Sequence, residues 1–292
     1  MLYTYHIIHP FMVVLFGTAG IPLNCPTRTY RSAITELSKL GLRALEIKFL
    51  KNTKMKKESA IELKTLAKER KMSLSIHALS SVNLNTNNET KLHVIREYLL
   101  RCAQGAKELG AKTVVFSPGV YSKKSHYESY EIIRRNITII RDYLDANGLN
   151  SVFLAPKTTG SQKKFGTVDE VISLCKGLCG MLPVLDFGHI YARRNGINDT
   201  KNTYLSTLYK CERSFGSAAL KNMYIRFSAV EFKNGNEKRH LVLEYGSPKF
   251  TYVAEAMKEM HVSGTVICTS PILEDDALKM KKIYESIPDT YS

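Results

Sequence analysis

An aspartate and a histidine lie three residues apart in the segment Leu185-Asp-Phe-Gly-His189, directly after a short apolar run. Carboxylate and imidazole groups both bind zinc, manganese or iron, although Asp-x-x-His also occurs at the capped start of an ordinary helix. His77 ends another apolar run, and His240 lies in a loop after a third. These side chains predict a metal site if the fold brings them to one place.

The elements that would position these residues are short apolar runs, which alternate with longer amphipathic runs. Strands that are apolar on both faces are typical of a parallel sheet covered by helices. The predicted strands lie near Val13–Phe16, Ala44–Phe49, Ser73–His77, Thr113–Ser117, Ser151–Ala155, Leu182–Asp186, Met223–Phe227 and Thr265–Cys268. The predicted helices lie near Thr29–Leu40, Ser59–Arg70, Glu89–Leu109, His126–Asn147, Val168–Leu178, Lys201–Phe215, Phe250–Met260 and Glu274–Ser286.

This alternation predicts an α/β fold, a closed (β/α)8 or TIM barrel, because each strand–helix–strand step is a right-handed crossover. An open doubly wound sheet usually has fewer units and a glycine-rich phosphate turn after its first strand. The segment Gly17-Thr-Ala-Gly20 lacks that full pattern. The active site of a (β/α)8 barrel lies at the C-terminal ends of its strands. His77, Asp186, His189 and His240 are therefore predicted at one barrel mouth.

The length of 292 residues suits one barrel, and no linker-like segment divides the chain. Met12 stands directly before the first predicted strand. Residues 12–292 are therefore interpreted as a single domain, with residues 1–11 as an N-terminal extension or a misassigned start. The first residues lack the basic region and cleavage site of a signal peptide, and their apolar run is too short to span a bilayer. We expect a monomeric cytoplasmic protein without membrane contact.

The formal net charge is +15, from 42 basic and 27 acidic residues. Such a surface attracts polyanions such as nucleic acid, although a lysine-rich surface can also serve solubility alone. Several basic clusters fall in predicted loops after strands, where the site is expected. The clusters are Lys54-Met-Lys-Lys57, Lys123-Lys124, Arg134-Arg135, Lys163-Lys164, Arg193-Arg194 and Lys238-Arg239.

A series of short motifs occurs in the order found in a known family. The motifs are Phe16-Gly-Thr-Ala-Gly-Ile-Pro22, Ile76-His-Ala78, Asn83-Leu84, Ser117-Pro-Gly119, Lys157-Thr-Thr-Gly160 with Phe165-Gly166, Leu185-Asp-Phe-Gly-His189, Ala192-Arg193, Phe227-Ser228, Lys238-Arg-His-Leu241 and Ser270-Pro271. Together they resemble the endonuclease IV family, in particular its archaeal branch, within the wider xylose isomerase-like barrels. The ordered set carries the resemblance, because no single motif is decisive.

The resemblance implies a DNA-repair enzyme that cuts DNA on the 5′ side of abasic sites with a cluster of zinc ions. The chemistry would be metal-assisted phosphodiester hydrolysis. Carried over position by position, the resemblance implies that His77, Asp186, His189 and His240 are metal ligands. Glu237 would be a further ligand if its register beside His240 brings it to the site.

Other ligand positions of that family hold different residues in this chain. Ser117 stands where a histidine precedes Pro-Gly, and Lys157 replaces a glutamate that bridges two metals. Arg226 replaces a histidine before Phe-Ser, and Thr269 replaces a glutamate before Ser-Pro. Lysine and arginine put fixed positive charge where a dication would sit, and like charges repel strongly at low effective dielectric. The resemblance therefore implies a partial metal site at most.

Three arrangements are compatible with these replacements. In the first, one divalent metal such as zinc binds His189, His240 and either Asp186 or Glu237, because three protein ligands plus water form a workable site. In the second, no metal binds and basic side chains hold phosphate directly. The phosphate-binding or DNA-binding residues would then be Lys157, Arg193, Arg226, Lys238 and Arg239. In the third, Asp186 pairs with Lys157 or Arg226, and ion pairs fill the mouth.

These observations favour an endonuclease IV-like DNA-repair protein that binds abasic or nicked DNA, with its metal-dependent cleavage weakened or lost. If active, it would be a metal-dependent deoxyribonuclease, with Lys157 and Arg226 as candidate catalytic residues. A sugar or sugar-phosphate isomerase or epimerase is the alternative, but it needs an acid–base pair, and Glu46 has no evident partner in the sequence. A non-catalytic phosphate-binding paralogue is a further alternative.

Overall fold

The computed structural model describes residues 13–49 and 56–289. The predicted N-terminal extension, residues 1–11, lies outside the described residues, as does the lysine at position 54. None of the helices in the described ranges is long and apolar enough to cross a membrane.

The strands follow the chain in short segments, and those that form the central sheet are mostly buried. They are β1 (Val14–Ala19), β2 (Ala44–Lys48), β3 (Ser73–His77), β4 (Thr113–Phe116), β5 (Gly119–Val120), β6 (Phe153–Pro156), β7 (Lys164–Phe165), β8 (Val184–Asp186), β9 (Met223–Phe227), β10 (Ala229–Lys233), β11 (Asn236–Leu241) and β12 (Gly264–Cys268). The helices are α1 (Tyr30–Lys39), α2 (Lys57–Glu69), α3 (Glu89–Leu109), α4 (His126–Ala146), α5 (Val168–Cys175), α6 (Phe187–Arg193), α7 (Lys201–Phe215), α8 (Phe250–Glu259) and α9 (Glu274–Ser286).

Eight of these strands form one parallel sheet in the order β6-β4-β3-β2-β1-β12-β9-β8. Parallel bridges from Leu154 to Met181 and from Lys157 to Val184 join the two ends of this sheet, so the sheet forms a ring. The predicted (β/α)8 barrel is therefore confirmed. Gly17 is required where β1 approaches β2, because a Cβ atom there would overlap the carbonyl oxygen of Ala44.

Two apolar cores hold the barrel together. The larger core lies between the strands and the helices, and the smaller one fills the ring with residues such as Ala44, Ala155 and Ile267. Helix starts are fixed by local capping: Ser125 and Glu128 form a capping box at α4, as do Thr167 and Glu170 at α5. These caps determine where the loops at the C-terminal ends of β4 and β6 stop and the helices begin.

The structure contains elements that the sequence pattern did not predict. The short helix α6 follows β8 directly, and the pairs β5–β7 and β10–β11 are antiparallel additions outside the barrel. All of them lie in the connections that follow the C-terminal ends of barrel strands. They build the mouth where the site is expected.

Candidate metal and phosphate site at the barrel mouth

The predicted site residues come from neighbouring strand ends. His77 and Asp186 are the last residues of β3 and β8, and Lys157 follows β6 directly. Arg226 lies one residue before the end of β9, and His189 lies on α6. The barrel thus brings together residues that are far apart in sequence, as the alternation of strands and helices predicted.

Glu46, Asp186 and Arg226 form a buried ion network that we name the arginine cluster. Nη1 of Arg226 donates to Oε1 of Glu46, and its Nε donates to Oδ2 of Asp186 at 3.2 Å. Tyr224 Oη donates to the other oxygen of Glu46 at 3.0 Å. One fixed positive charge therefore lies between two carboxylates.

The pKa values in the arginine cluster follow from this pairing. Burial raises the pKa of the Asp186 carboxyl, but the charges of His189 and Arg226 outweigh burial and lower that pKa to about 2. Burial also opposes ionisation of Glu46, yet the attraction of Arg226 lowers the pKa of Glu46 below its usual value. The two carboxylates in turn raise the pKa of Arg226. All three groups are therefore charged at neutral pH, and the guanidinium charge is already balanced. The prediction that Arg226 holds phosphate stays a prediction, and the pairing with two carboxylates argues against it.

His189, Glu237 and His240 form a second group, which we name the imidazole cluster. His189 Nε2 lies 2.9 Å from Oε2 of Glu237, and His240 Nε2 lies 3.1 Å from Oε1. In the described ranges, these are the residues whose histidine, cysteine or carboxylate ligand atoms converge, within 4.8 Å of one another. Of the two carboxylates that the sequence left open, Glu237 is the one placed between the histidines.

A β-bulge explains why Glu237 and His240 face the same side. Residues three apart in a regular strand point to opposite faces. In the β10–β11 pair, Glu231 lies opposite Arg239 and Phe232 lies opposite Glu237, so Lys238 has no partner in the ladder. The extra residue shifts the alternation by one position. Periodicity alone could not reveal this register.

The two rings of the imidazole cluster are oriented by backbone carbonyls. Nδ1 of His189 lies 2.8 Å from the carbonyl oxygen of Thr158, and Nδ1 of His240 lies 2.6 Å from that of Thr269. A carbonyl only accepts, so Nδ1 carries the proton in each neutral ring. Both Nε2 lone pairs then point at the Glu237 carboxylate. Because the lone pairs and the carboxylate are all acceptors, they need a proton or a cation between them.

The donor set of the imidazole cluster suits one divalent cation. Two histidines and one glutamate are a known ligand set for zinc, and a second hydrogen bond from each ligating imidazole is the usual support. Gly160 leaves room for the Glu237 side chain, because a Cβ atom at position 160 would come within 2.5 Å of the Glu237 carboxylate. The sequence contained Gly160 in its Lys157-Thr-Thr-Gly motif but gave no reason for the glycine.

Lys157 lies between the two clusters. Its side chain is buried, with 7% of the residue exposed, and Nζ lies 3.4 Å from Nδ1 of His189. Burial lowers the pKa of Lys157 to about 8, and the attraction of Asp186 offsets only part of this effect. The amine is therefore mostly charged at neutral pH, but it loses its proton more readily than a surface lysine.

His77 reaches the mouth but stays outside the imidazole cluster. Its Nε2 atom is buried without a hydrogen-bond partner in the described part of the chain. Burial lowers the pKa of His77 to about 3, although Glu46 attracts the charged form. His77 is thus a neutral imidazole next to the arginine cluster.

The remaining predicted phosphate contacts have different surroundings. Arg193 is buried, and its guanidinium donates to the carbonyl oxygen of Lys164 at 2.8 Å and to Tyr121 Oη at 3.0 Å. It holds two loops together, and these contacts argue against the prediction that it contacts phosphate. Arg239 is exposed and pairs with Glu231 at 2.6 Å. Lys238 is also exposed, so both residues of the bulged strand face solvent.

Comparisons with known proteins agree with this architecture. A family model described as xylose isomerase-like TIM barrel matches residues 34–286. An uncharacterized protein of Methanocaldococcus jannaschii is 38% identical over 276 residues, which cover 94% of this chain and 98% of the relative.

Two solved structures show the same fold at lower identity. Endonuclease IV from Thermus thermophilus is 19% identical with a TM-score of 0.66, over 92% of this chain and 98% of that one. D-psicose 3-epimerase from Clostridium cellulolyticum is 13% identical with a TM-score of 0.68, over 94% of this chain and 100% of that one. A DNA-cutting enzyme and a sugar epimerase therefore share this barrel with the chain.

Proposed function

Since the chain belongs to the xylose isomerase-like TIM barrel family, we propose that it is an endonuclease IV-like DNA-repair protein whose barrel mouth binds abasic or nicked DNA. The observation that carries the proposal is the imidazole cluster beside the buried ammonium of Lys157. Together they offer one metal position and one fixed cation for a phosphate. The net charge of +15 favours a polyanionic ligand.

One divalent metal on His189, Glu237 and His240 would polarise a phosphate oxygen as a Lewis acid. Lys157 would neutralise part of the phosphate charge from the adjacent position. Arg226 keeps Asp186 and Glu46 ionised but bound to itself. Neither carboxylate is free to hold a second metal, so we expect DNA binding with cleavage that is weakened or lost.

A sugar epimerase is the second candidate, since such an enzyme has the same fold. Proton transfer on both faces of a sugar carbon needs two acid–base groups that are not engaged in ion pairs. Glu46 and Asp186 are committed to Arg226, and Glu237 lies between two imidazoles. Among the residues that the structure describes at the mouth, these contacts leave no free carboxylate pair, and they favour the DNA proposal.

The test combines metal content with binding and cleavage of a duplex that carries one abasic site. Protein is purified without chelator, and zinc is measured by elemental analysis. We expect about one zinc per chain at most, retention of the abasic duplex at low salt, and little or no cleavage. His93→Ala serves as a control, because His93 is exposed on α3 and is not part of the imidazole cluster.

Failure of the protein to bind the duplex at low salt would contradict the proposal. Epimerisation of a ketose with added zinc or manganese would establish the second candidate instead. Efficient cleavage on the 5′ side of the abasic site would keep the DNA assignment, but it would show that the replaced ligands are not needed for catalysis.

A further inference from the structure

Two pairs of lysines from distant parts of the sequence lie on two adjacent loops at the barrel mouth. β5 pairs with β7 in antiparallel fashion, with Val120 opposite Lys164, and the N–H of Tyr121 donates to the carbonyl oxygen of Lys163 at 3.1 Å. The loop after β4 and the loop after β6 therefore run side by side. Their exposed or half-buried lysines, which we name the lysine platform, are Lys123, Lys124, Lys163 and Lys164.

The loops that carry the lysine platform are held in place by buried hydrogen bonds. The buried guanidinium of Arg193 donates to the carbonyl oxygens of Ser161 and Lys164 and to Tyr121 Oη. Tyr121 Oη in turn donates to Glu170 at 2.7 Å. Both loops are thus tied to the start of α5, and the lysines project from a fixed backbone.

Nearby carboxylates are already used by the backbone. Glu128 accepts from the N–H and the hydroxyl of Ser125, as part of the capping box. Glu170 accepts from the N–H of Thr167 and also lies 3.3 Å from Nδ1 of His126. No carboxylate among the described residues lies within 4.0 Å of an ammonium group of the lysine platform. Of these lysines, Lys124 is attracted by Glu128, and an external polyanion would balance the positive charge that remains on the platform.

We propose that the lysine platform binds the phosphate backbone of duplex DNA beside the lesion, an inference that rests on the proposed function. Lys164 follows Lys157 by seven residues, so the chain between them spans about 25 Å at most. One strand of duplex DNA advances about 3.4 Å per nucleotide along the axis. The platform can therefore contact backbone within about seven nucleotides of the one held at Lys157.

The test uses Lys123→Gln/Lys164→Gln, which removes one charge from each loop. Binding is followed by fluorescence anisotropy with a duplex of about 30 base pairs that carries a central abasic-site analogue. We expect the slope of log K against log salt to fall by about 2, because each lost phosphate contact removes about 0.9. A duplex of about 8 base pairs should show a smaller difference in slope between the variant and the unchanged protein, since it offers fewer phosphates to the platform.

Lys112→Gln/Lys176→Gln is the matched control. Lys112 directly precedes β4 and Lys176 lies at the end of α5, so both exposed residues lie on the face opposite the mouth. This control should keep the slope, and the unfolding temperature of both variants should match that of the unchanged protein.

An unchanged slope in Lys123→Gln/Lys164→Gln on the long duplex would overturn the platform and leave the proposed function intact. A lysine-dependent attachment to anionic lipid vesicles, with the DNA slope unchanged, would also overturn it. If the unchanged protein binds neither duplex, the proposed function fails first, and the platform fails with it.

Discussion

The arginine cluster and the imidazole cluster lie at the same mouth and differ in how their charges are balanced. In the first, the guanidinium of Arg226 lies between the carboxylates of Glu46 and Asp186. In the second, the Glu237 carboxylate lies between two imidazoles whose Nδ1 protons are held by backbone carbonyls. The arginine cluster is complete within the protein, whereas the imidazole cluster requires a proton or a cation.

The difference shows two ways in which one barrel mouth can arrange buried charges. A buried carboxylate pair needs positive charge, and a protein cation supplies it as well as a metal does. A single arginine at a strand end supplies the positive charge that Glu46 and Asp186 need. This charge is permanent, because the guanidinium is part of the chain and stays protonated.

Removal of Arg226 would break the comparison most severely. Arg226→Met should lower the free energy of unfolding by about 3–5 kcal/mol, because two buried carboxylates lose their partner. Urea unfolding followed by circular dichroism measures the loss. Arg239→Gln is the control, because the exposed Arg239–Glu231 pair should contribute at most about 1 kcal/mol. A loss below about 1 kcal/mol in Arg226→Met would mean that the arginine cluster does not stabilise the mouth.

The imidazole cluster should govern metal affinity instead of stability. His189→Ala or His240→Ala should weaken zinc binding by at least about 100-fold, since even indirect support of a metal ligand is worth about 10–100-fold. Calorimetric titration with zinc measures the affinity, and His93→Ala should bind zinc as the unchanged protein does. Equal zinc affinity in all three variants would place the metal elsewhere.

The arginine cluster should also lose stability in acid. The pKa of Asp186 is lowered from 3.8 to about 2. A lowered carboxyl pKa contributes stability that is present above the unfolded value and is lost as pH falls through the folded value. About 2 kcal/mol should therefore disappear between about pH 4 and pH 2. Asp186→Asn should lack this step in urea unfolding, whereas exposed Asp169→Asn should keep it.

The sequence predicted the barrel because burial and periodicity act locally. Alternating apolar and amphipathic runs placed strands such as β3 and β9 and helices such as α3 and α7 at the observed bounds. Because barrel topology fixes where strand ends meet, it also placed His77, Asp186 and Lys157 at one mouth. That part of the site follows from the fold alone.

The pairing within the mouth could not be predicted, since it depends on side-chain geometry between distant segments. Glu46 was left without a partner by sequence reasoning and turned out to bind Arg226. Glu237 reaches the imidazoles only through the bulge at Lys238, which strand periodicity hides. Arg193 was predicted to contact phosphate because the sequence of the basic pair Arg193-Arg194 does not reveal that Arg193 is buried.

The smallest expected effect concerns Lys157, which lies between the two clusters. Its pKa of about 8 means that a metal on the imidazole cluster can expel the lysine proton. At about pH 7 that proton loss costs about 1.4 kcal/mol, which sets an upper bound on the penalty from its charge. Lys157→Gln should therefore bind zinc up to about tenfold more tightly at about pH 7, with the gap vanishing near about pH 9.

The direction of this effect shows whether Lys157 acts on the metal as a repelling charge or as a ligand. A charged lysine weakens metal binding below its pKa and is harmless above it, so the advantage of Lys157→Gln must shrink as pH rises. Calorimetry in two buffers of different ionisation enthalpy should show release of a lysine proton by the unchanged protein near about pH 7 and not by the variant. Weaker zinc binding by Lys157→Gln at about pH 9 would instead make the neutral amine a ligand, because only then would its removal cost affinity.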